Sequence, residues 1–443
     1  MVIYLCINQL RCKQSVGIRH ESIICPGCGC LCDDLDVTLE AGRIVEVTNV
    51  CLWGVSRFFH GKKFHPKKER HRLLTPQVLR KGRHEAVTYE GALAEAAQLL
   101  SQARRPLIYG LTNSGSGAQE AALKLARSLR ARLEPADLAY KAPYYQSIQQ
   151  HGLAWAPLEV IRDEADAVLF WGANPIHSAP RQVVRYAVFA RGRFTERGLE
   201  DRQVAAVDIY QTELAKFCPL FIKIQPGQEL DLILGATDVL AGETPPEPMV
   251  KGTQRLAQFL AQATYGVIFC GRGLSYGAAQ ELFDRLGRLV GLLNRKAPWF
   301  LFPLSGDFNS SGLYHLLLNE VGRPGAPDFG AGEVTSHYTS VDFQEVDAVL
   351  VAGADLLWFL PEEVVEDLKG RQVPIVALSP FANRTTGQAA VILPTALAGI
   401  ETSEVAYRMD GLPLVLKQLV PAALPADRQV LTDLDRLIGG SVG

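Results

Sequence analysis

The chain reads as an α/β protein built on two doubly wound parallel sheets. Three observations predict this: short apolar runs recur along it, they are near-continuous rather than alternating, and helix-like patterns separate them. The runs are PLIYG at 106–110, ADAVLFWG at 165–172, VAAVDIY at 204–210, YGVIFCG at 265–271, DAVLVAG at 347–353, VPIVALS at 373–379 and AAVILPT at 389–395. A strand that is apolar on both faces belongs inside a sheet covered by helices on each side, which is where parallel strands sit. After the first run, AQEAALKLARSLRARL places Ala122, Leu125, Ala126 and Leu129 on one helical face.

At 443 residues the chain is too long for one ordinary core. Four segments are expected: a cysteine-bearing 1–75, a discontinuous α/β domain from 76–145 with 296–420, a second α/β domain at 146–295, and a closing tail at 421–443 with a short helix. The Pro- and Gly-rich stretches Ala241–Pro248 and Gly322–Gly332 read as linkers. Apolar residues make up 48% and charged residues 21%, with a formal net charge of −2. That balance attracts neither nucleic acid nor a membrane surface, and no apolar stretch approaches the ~20 residues of a span. The opening MVIYLCINQLRCKQ lacks the pattern of a secretory signal. The basic run from Gly61 to Arg72 reads as a solvated loop.

Cysteine usage is clustered. Five of nine fall between Cys25 and Cys51, two precede them (Cys6, Cys12), and Cys218 and Cys270 stand apart. Clustering in an otherwise cysteine-poor chain reads as metal binding in a reducing compartment, so a cytoplasmic location is expected. Cys25, Cys28 and Cys32 form a C-x2-C-x3-C core, and Cys51 returns after eighteen intervening residues. Three thiolates on a glycine-bearing turn with one distant partner suit a [4Fe-4S] cluster. The same set could instead hold zinc or remain free. Cys30 stays outside this ligand set. The nine histidines show no metal-hydrolase spacing, and His177 reads as an ordinary loop histidine, with lining a pocket as the less favoured alternative.

The loop Gly110–Glu120, GLTNSGSGAQE, joins a strand to a helix start. Backbone amides there could cradle an anion, but the spacing is neither a Walker motif nor G-x-G-x-x-G. A plain turn with Ser116 capping the helix is the simpler reading.

Taken together, CPGCGCLCDD at 25–34, FWGANPIHSAPR at 170–181, VDIYQTELAKFCPLFIKIQPGQELDLILG at 207–235 and AAVILPTALAGIETSEVAYRMDG at 389–411 resemble the B subunit of formylmethanofuran dehydrogenase. That family lies in the molybdopterin oxidoreductase superfamily, and the resemblance runs along nearly the whole chain. It implies a molybdopterin oxidoreductase-like fold with a small N-terminal cluster domain, whose ligands would be Cys25, Cys28, Cys32 and Cys51.

The departures shape the functional expectation. By the resemblance, the cysteine or selenocysteine that ligates molybdenum or tungsten falls at Ser116, and no cysteine stands between Cys51 and Cys218. The arginine that contacts the pterin dinucleotide falls at Tyr210, which offers no charged fork to a phosphate. The neighbouring Ala-Asp and Thr-Asp pairs become Phe217-Cys218 and Gln228-Glu229. A molybdenum or tungsten pterin is therefore expected to be absent. The pattern is most similar to the B subunit of a bacterial formyltransferase/hydrolase complex, which moves a formyl group to methylofuran and hydrolyses it to formate on other subunits. The chain is then expected to be a catalytically inactive homologue and structural subunit in methylotrophic one-carbon metabolism, touching its partner subunits and the polyglutamyl arm of methylofuran. The alternatives are a working tungsten or molybdenum formylmethanofuran (formate) dehydrogenase subunit with Ser116 as ligand, and a pterin-carrying assembly protein.

Overall fold

The computed structural model describes residues 17–59, 72–245, 247–330 and 333–440. Cys6, Cys12 and nearly all of the basic run at 61–72 lie outside the described residues.

The N-terminal segment forms an antiparallel meander of β1 (Ile18–Ile23), β2 (Leu35–Glu40) and β3 (Arg43–Thr48). Ala41 and Gly42 both take positive φ between β2 and β3, the geometry that turns a two-residue hairpin without splaying its strands. The sequence pattern predicts no strands here. These are half-exposed six-residue strands whose alternation is weak, so local pattern carries little signal.

All seven apolar runs are strands. The larger sheet holds β4 (Gln77–Arg80), β5 (Arg83–Ala86), β6 (Pro106–Gly110), β7 (Arg132–Pro135), β13 (Ala326–Asp328), β14 (Thr335–His337), β15 (Ala348–Ala352), β16 (Ile375–Leu378) and β17 (Val391–Leu393). Its order is β14-β13-β7-β6-β15-β16-β17-β4-β5. The middle five are parallel, and both flanks are closed by antiparallel strands. The smaller sheet holds β8 (Ala167–Trp171), β9 (Gln203–Asp208), β10 (Leu220–Lys223), β11 (Gly266–Cys270) and β12 (Trp299–Pro303), all parallel, in the order β10-β9-β8-β11-β12. A separate hairpin pairs β18 (Glu404–Tyr407) with β19 (Pro413–Leu416).

Two expectations change. The second sheet does not end at residue 295, because Trp299–Pro303 pairs in register with β11 as its edge strand. The supposed linker Gly322–Gly332 contains β13, whose Asp328 pairs with Arg132 of β7 while its other side pairs with β14, the edge strand. β13 is only three residues long, so the Pro and Gly density around it reflects a short strand between turns and does not mark a linker.

The order of strands fixes where a ligand can sit. In the larger sheet the direction of strand addition reverses between β6 and β15, and in the smaller between β8 and β11. At such a switch point the loops after adjacent strands part in opposite directions and leave a crevice at the carboxyl ends.

Between the sheets runs the helix Leu138–His151, buried on nearly all sides. It follows β7 of the larger sheet yet donates to the smaller side: Tyr140 Oη to the Cys270 carbonyl at 2.5 Å and Tyr144 Oη to the Leu301 carbonyl at 2.9 Å. One apolar cluster includes Ile108 and Leu350 from one sheet and Leu169 and Ile268 from the other.

Candidate functional site

A cavity of about 1040 Å³ opens where the two switch points face each other. Its walls are strand-ending loops: Thr112 and Asn113 after β6, Ala136 and Asp137 after β7, Gly172–Asn174 after β8, Asp208–Tyr210 after β9. Gly271–Leu274 after β11, Leu304–Asp307 after β12 and Gly353–Asp355 after β15 complete them. Two of these loops touch closely. A Cβ added at Gly172, whose φ is +54°, would stand 3.0 Å from Gly273 Cα, and one at Gly273 would stand 2.8 Å from Gly172 Cα. Only glycines let the backbones meet there.

The lining is acidic. Among the described residues, Asp137, Asp208, Glu229, Asp307 and Asp355 face it, against the single guanidinium of Arg272. Burial pushes the Asp137 carboxyl up, with Lys141 opposing the shift, and burial likewise raises Asp208. Asp137 accepts hydrogen bonds from Ser310 (2.5 Å) and Tyr314 (3.2 Å). Lys141 is fully buried, and burial lowers its ammonium to about 8. Arg272 lies over the Phe359 ring at 5.7 Å.

The positions expected to mark a lost cofactor site are distributed unevenly. Tyr210 and Glu229 line the cavity, and so does His177, whose ring nitrogen faces Glu213 at 3.2 Å. Cys218 is buried against the Leu214 carbonyl, with its thiol raised to about 12 by burial, and Gln228 accepts from the Gln225 amide. Neither reaches the cavity wall. Ser116 does not line it either. It is the first residue of the helix Ser116–Leu129, whose cap is Gly115, and its hydroxyl accepts from Asn309 Nδ2 at 3.3 Å. Ser116 is thus neither a ligand facing the cavity nor the helix cap. The helix that presents a side chain to the floor is the next one, through Tyr140.

Sequence reasoning missed Asp137, Tyr140, Arg272, Asp307 and Asp355. A usable signal existed for three of them: GRG, SGD and GAD each follow an apolar run directly, and strand-ending loops are where open α/β sheets bind ligands. Asp137 and Tyr140 instead follow the charged Arg132 and Glu134 and carry no such signal.

The cysteines gather beside this cavity. Cys25, Cys28, Cys30 and Cys32 are buried and Cys51 is half-buried just before the helix Leu52–Phe59. The loop closes through Cys25 N–H to the Cys32 carbonyl at 2.8 Å. A Cβ at Gly54 would stand 2.9 Å from Cys25 Sγ. Burial and the neighbouring thiols Cys32, Cys28 and Cys51 push the Cys25 thiol up. Burial holds Cys32 at about 11, with Arg181 and Arg185 pulling it down. A hydrogen bond with Cys30 lowers Cys28. The four expected ligands and Cys30 thus lie near enough together for their charges to interact. Among the described residues, no group of three or more His, Cys, Asp or Glu side chains is arranged to hold a metal ion.

Polar contacts tie this lobe to the rest. Arg181 chelates Asp34 at 2.5 and 2.6 Å, and Arg185 reaches Asp33 at 2.8 Å. The Gly29 amide donates to the Ser305 carbonyl at 3.2 Å. Arg57 donates to Asn113, which donates to Asp307 at 2.7 Å, so a short chain links the helix after Cys51 to the cavity floor.

The B subunit of tungsten-containing formylmethanofuran dehydrogenase 2 from Methanocaldococcus jannaschii is 30% identical over 429 residues, covering 93% of this chain and 96% of that protein. The chain belongs to the family of formylmethanofuran dehydrogenase B subunits. The counterpart from Methanococcus maripaludis is 28% identical over the same share of each chain. No family model matches this member. Among solved structures, a chain of the formyltransferase/hydrolase complex from Methylorubrum extorquens, solved with methylofuran, superposes with a TM-score of 0.65 at 20% identity, over 83% of this chain and all of that one. Acetylene hydratase from Pelobacter acetylenicus gives 0.67 at 12% identity over 95% and 69%. These likenesses establish the molybdopterin oxidoreductase-like fold for this family member. Among the described residues no helix is long and apolar enough to cross a membrane.

Proposed function

We propose that this chain is a non-redox structural subunit of a formyltransferase/hydrolase assembly in one-carbon metabolism. Formyl transfer to methylofuran and hydrolysis to formate would take place on partner subunits. The observation that carries this reading is the lining of the cavity. A pterin dinucleotide brings a diphosphate, and a soft thiolate is the usual direct bond from protein to such a metal. Among the described residues the lining offers five carboxylates, one guanidinium and no cysteine. Tyr140 stands at the floor with its hydroxyl spent on the Cys270 carbonyl. These residues do not fit the group. The same acidity turns away the polyglutamyl arm of methylofuran, whose contact with this chain would lie on another surface.

The cysteine lobe fits a [4Fe-4S] cluster better than the cavity fits a pterin. Cys25, Cys28 and Cys32 on a glycine-bearing loop, and Cys51 before the helix Leu52–Phe59, are soft donors close enough to feel one another's charge. A cluster bound there would cross-link the meander to the helix Leu52–Phe59, a structural duty that needs no electron acceptor. Arg181 and Arg185 would offset its negative charge.

A second reading, a working tungsten or molybdenum enzyme, is favoured by the tungsten-containing relatives that align with 93% of the chain. Elemental analysis of the anaerobically purified complex, with pterin assayed as its fluorescent oxidation product, separates the two. The proposal expects tungsten, molybdenum and pterin each well below one per chain, with iron and labile sulfide near four. Stoichiometric metal with pterin would establish the second reading instead.

A further inference from the structure

The cavity is open, not filled by side chains, and its chemistry describes a ligand. Among the lining carboxylates, Asp307 takes one hydrogen bond from the Asn113 amide, and Asp208 takes its own from backbone amides. Glu229 and Asp355 also receive backbone amides, and Asp355 a further hydroxyl from Thr385. Their partners are therefore neutral. Lys141, behind the floor, interacts with the charge of Asp137 first and of Asp307 second, and Arg272 adds one more cation. Among the described residues, two cations thus stand against the five lining carboxylates, and an excess of negative charge remains.

Among the described residues, three further groups at the wall are unspent, the Asn174 side-chain carbonyl oxygen being one of them. The Thr112 hydroxyl and the Trp171 indole N–H are fully buried in the cavity lining and have no protein hydrogen-bond partner. An indole N–H can only donate, so it calls for an acceptor. Aromatic surface surrounds the opening. Trp53, Tyr210, Tyr276 and Phe359 line it while 43–82% exposed, an unusual concentration of large apolar groups on a surface. Aromatic faces and carboxylates together recognise a cation attached to a flat ring. The volume is at the upper end for small-molecule pockets, so such a ligand fits with room for an extension.

We propose that this cavity binds an aromatic organic cation, a flat ring bearing a protonated amine and a hydrogen-bond acceptor, in place of an anionic cofactor. The amine sits against Asp307 and Asp208, the ring lies among the aromatic side chains at the mouth, and the acceptor meets Trp171. This inference rests on the reading that no pterin occupies the cavity.

The test is a series on one aromatic body with the charge changed: phenethylamine, 2-phenylethanol and 3-phenylpropionate, titrated by calorimetry into the purified complex whose pterin content has been assayed. The amine is expected to bind at least about tenfold tighter than the carboxylate, the size of one charge-assisted hydrogen bond. Asp307→Asn should cut amine affinity about tenfold. Tyr210→Arg, a change at an exposed mouth position that leaves the core untouched, should weaken the amine and strengthen the carboxylate. Equal binding across the series, no binding at all, or indifference to both substitutions in pterin-free protein would overturn the inference while leaving the structural role proposed for the chain intact. Stoichiometric pterin in the same preparation would overturn both.

Discussion

Glu404 shows at the residue scale how the supposed ligand loop is used. Its carboxylate lies directly over Gly115, leaving no room there for a Cβ. Ser114, one residue earlier, donates to Asp427 at 2.8 Å. Burial raises the Glu404 carboxyl from its ordinary 4.5 to about 7, and the charge of Asp427 adds to the push while Arg428 opposes it. A carboxyl whose folded value lies above its unfolded one holds its proton more tightly when folded. Its contribution is complete below about pH 4.5 and is lost as pH rises through about 7. One pKa unit is worth about 1.4 kcal/mol, but partial exposure and the adjacent helix N-terminus, which favours the ionised form, both shrink the effect. Stability should therefore fall by about 1–2 kcal/mol between pH 5 and 8 beyond the trend of a Glu404→Gln variant. Urea unfolding across that range measures it, and identical pH profiles for the two proteins would show that Glu404 is ionised in the fold throughout.

At the scale of elements, what could be read from sequence was what neighbours along the chain decide. PLIYG, ADAVLFWG and DAVLVAG declared themselves as buried strands because burial on both faces forces a continuous apolar run. The pairing of β12 with β11 did not declare itself, because it is settled across the intervening helix Ala279–Leu293 by which edge remains open, not by Trp299–Pro303 alone. The cysteine loop was legible through its spacing, yet the arginines that hold it were not, since Arg185 meets Asp33 from 152 residues away. Ser116 was misplaced for a related reason: a loop after a strand reaches the cavity only with its first residues, and Thr112 and Asn113 take that place. The Arg181 and Arg185 contacts with Asp34 and Asp33 are partly exposed, so each pair alone is worth little. As a set they are the main polar clamp between the meander and the smaller domain. Replacing both arginines with alanine should make 17–59 the first region cut in limited proteolysis and leave the circular dichroism of the remainder unchanged. If the digestion pattern matches that of the parent, packing rather than these ion pairs holds the lobe.

On the scale of the whole molecule, two sheets with separate topologies would ordinarily suggest two unfolding units. The helix Leu138–His151 argues against that division. Its backbone belongs to the crossover leaving β7, but its hydroxyls bond to carbonyls of β11 and β12, and Ser147 donates to the Phe283 carbonyl at 2.6 Å. On its other side Tyr145 stacks on Tyr314, ring centroids 4.8 Å apart. Separating the sheets would exchange these buried hydrogen bonds for bonds to water, a net loss of about 0.5–1.5 kcal/mol each, and would expose a shared apolar cluster. Both losses fall on a partly unfolded state, so the two sheets should melt together. Far-ultraviolet and near-ultraviolet circular dichroism are expected to trace one coincident transition in urea. Tyr144→Phe, which removes only the bond to Leu301, should shift that transition without splitting it. Two resolved transitions in the unaltered chain would mean that the cavity lies between independently folded halves, and its acidic walls could then part to admit a ligand much larger than 1040 Å³.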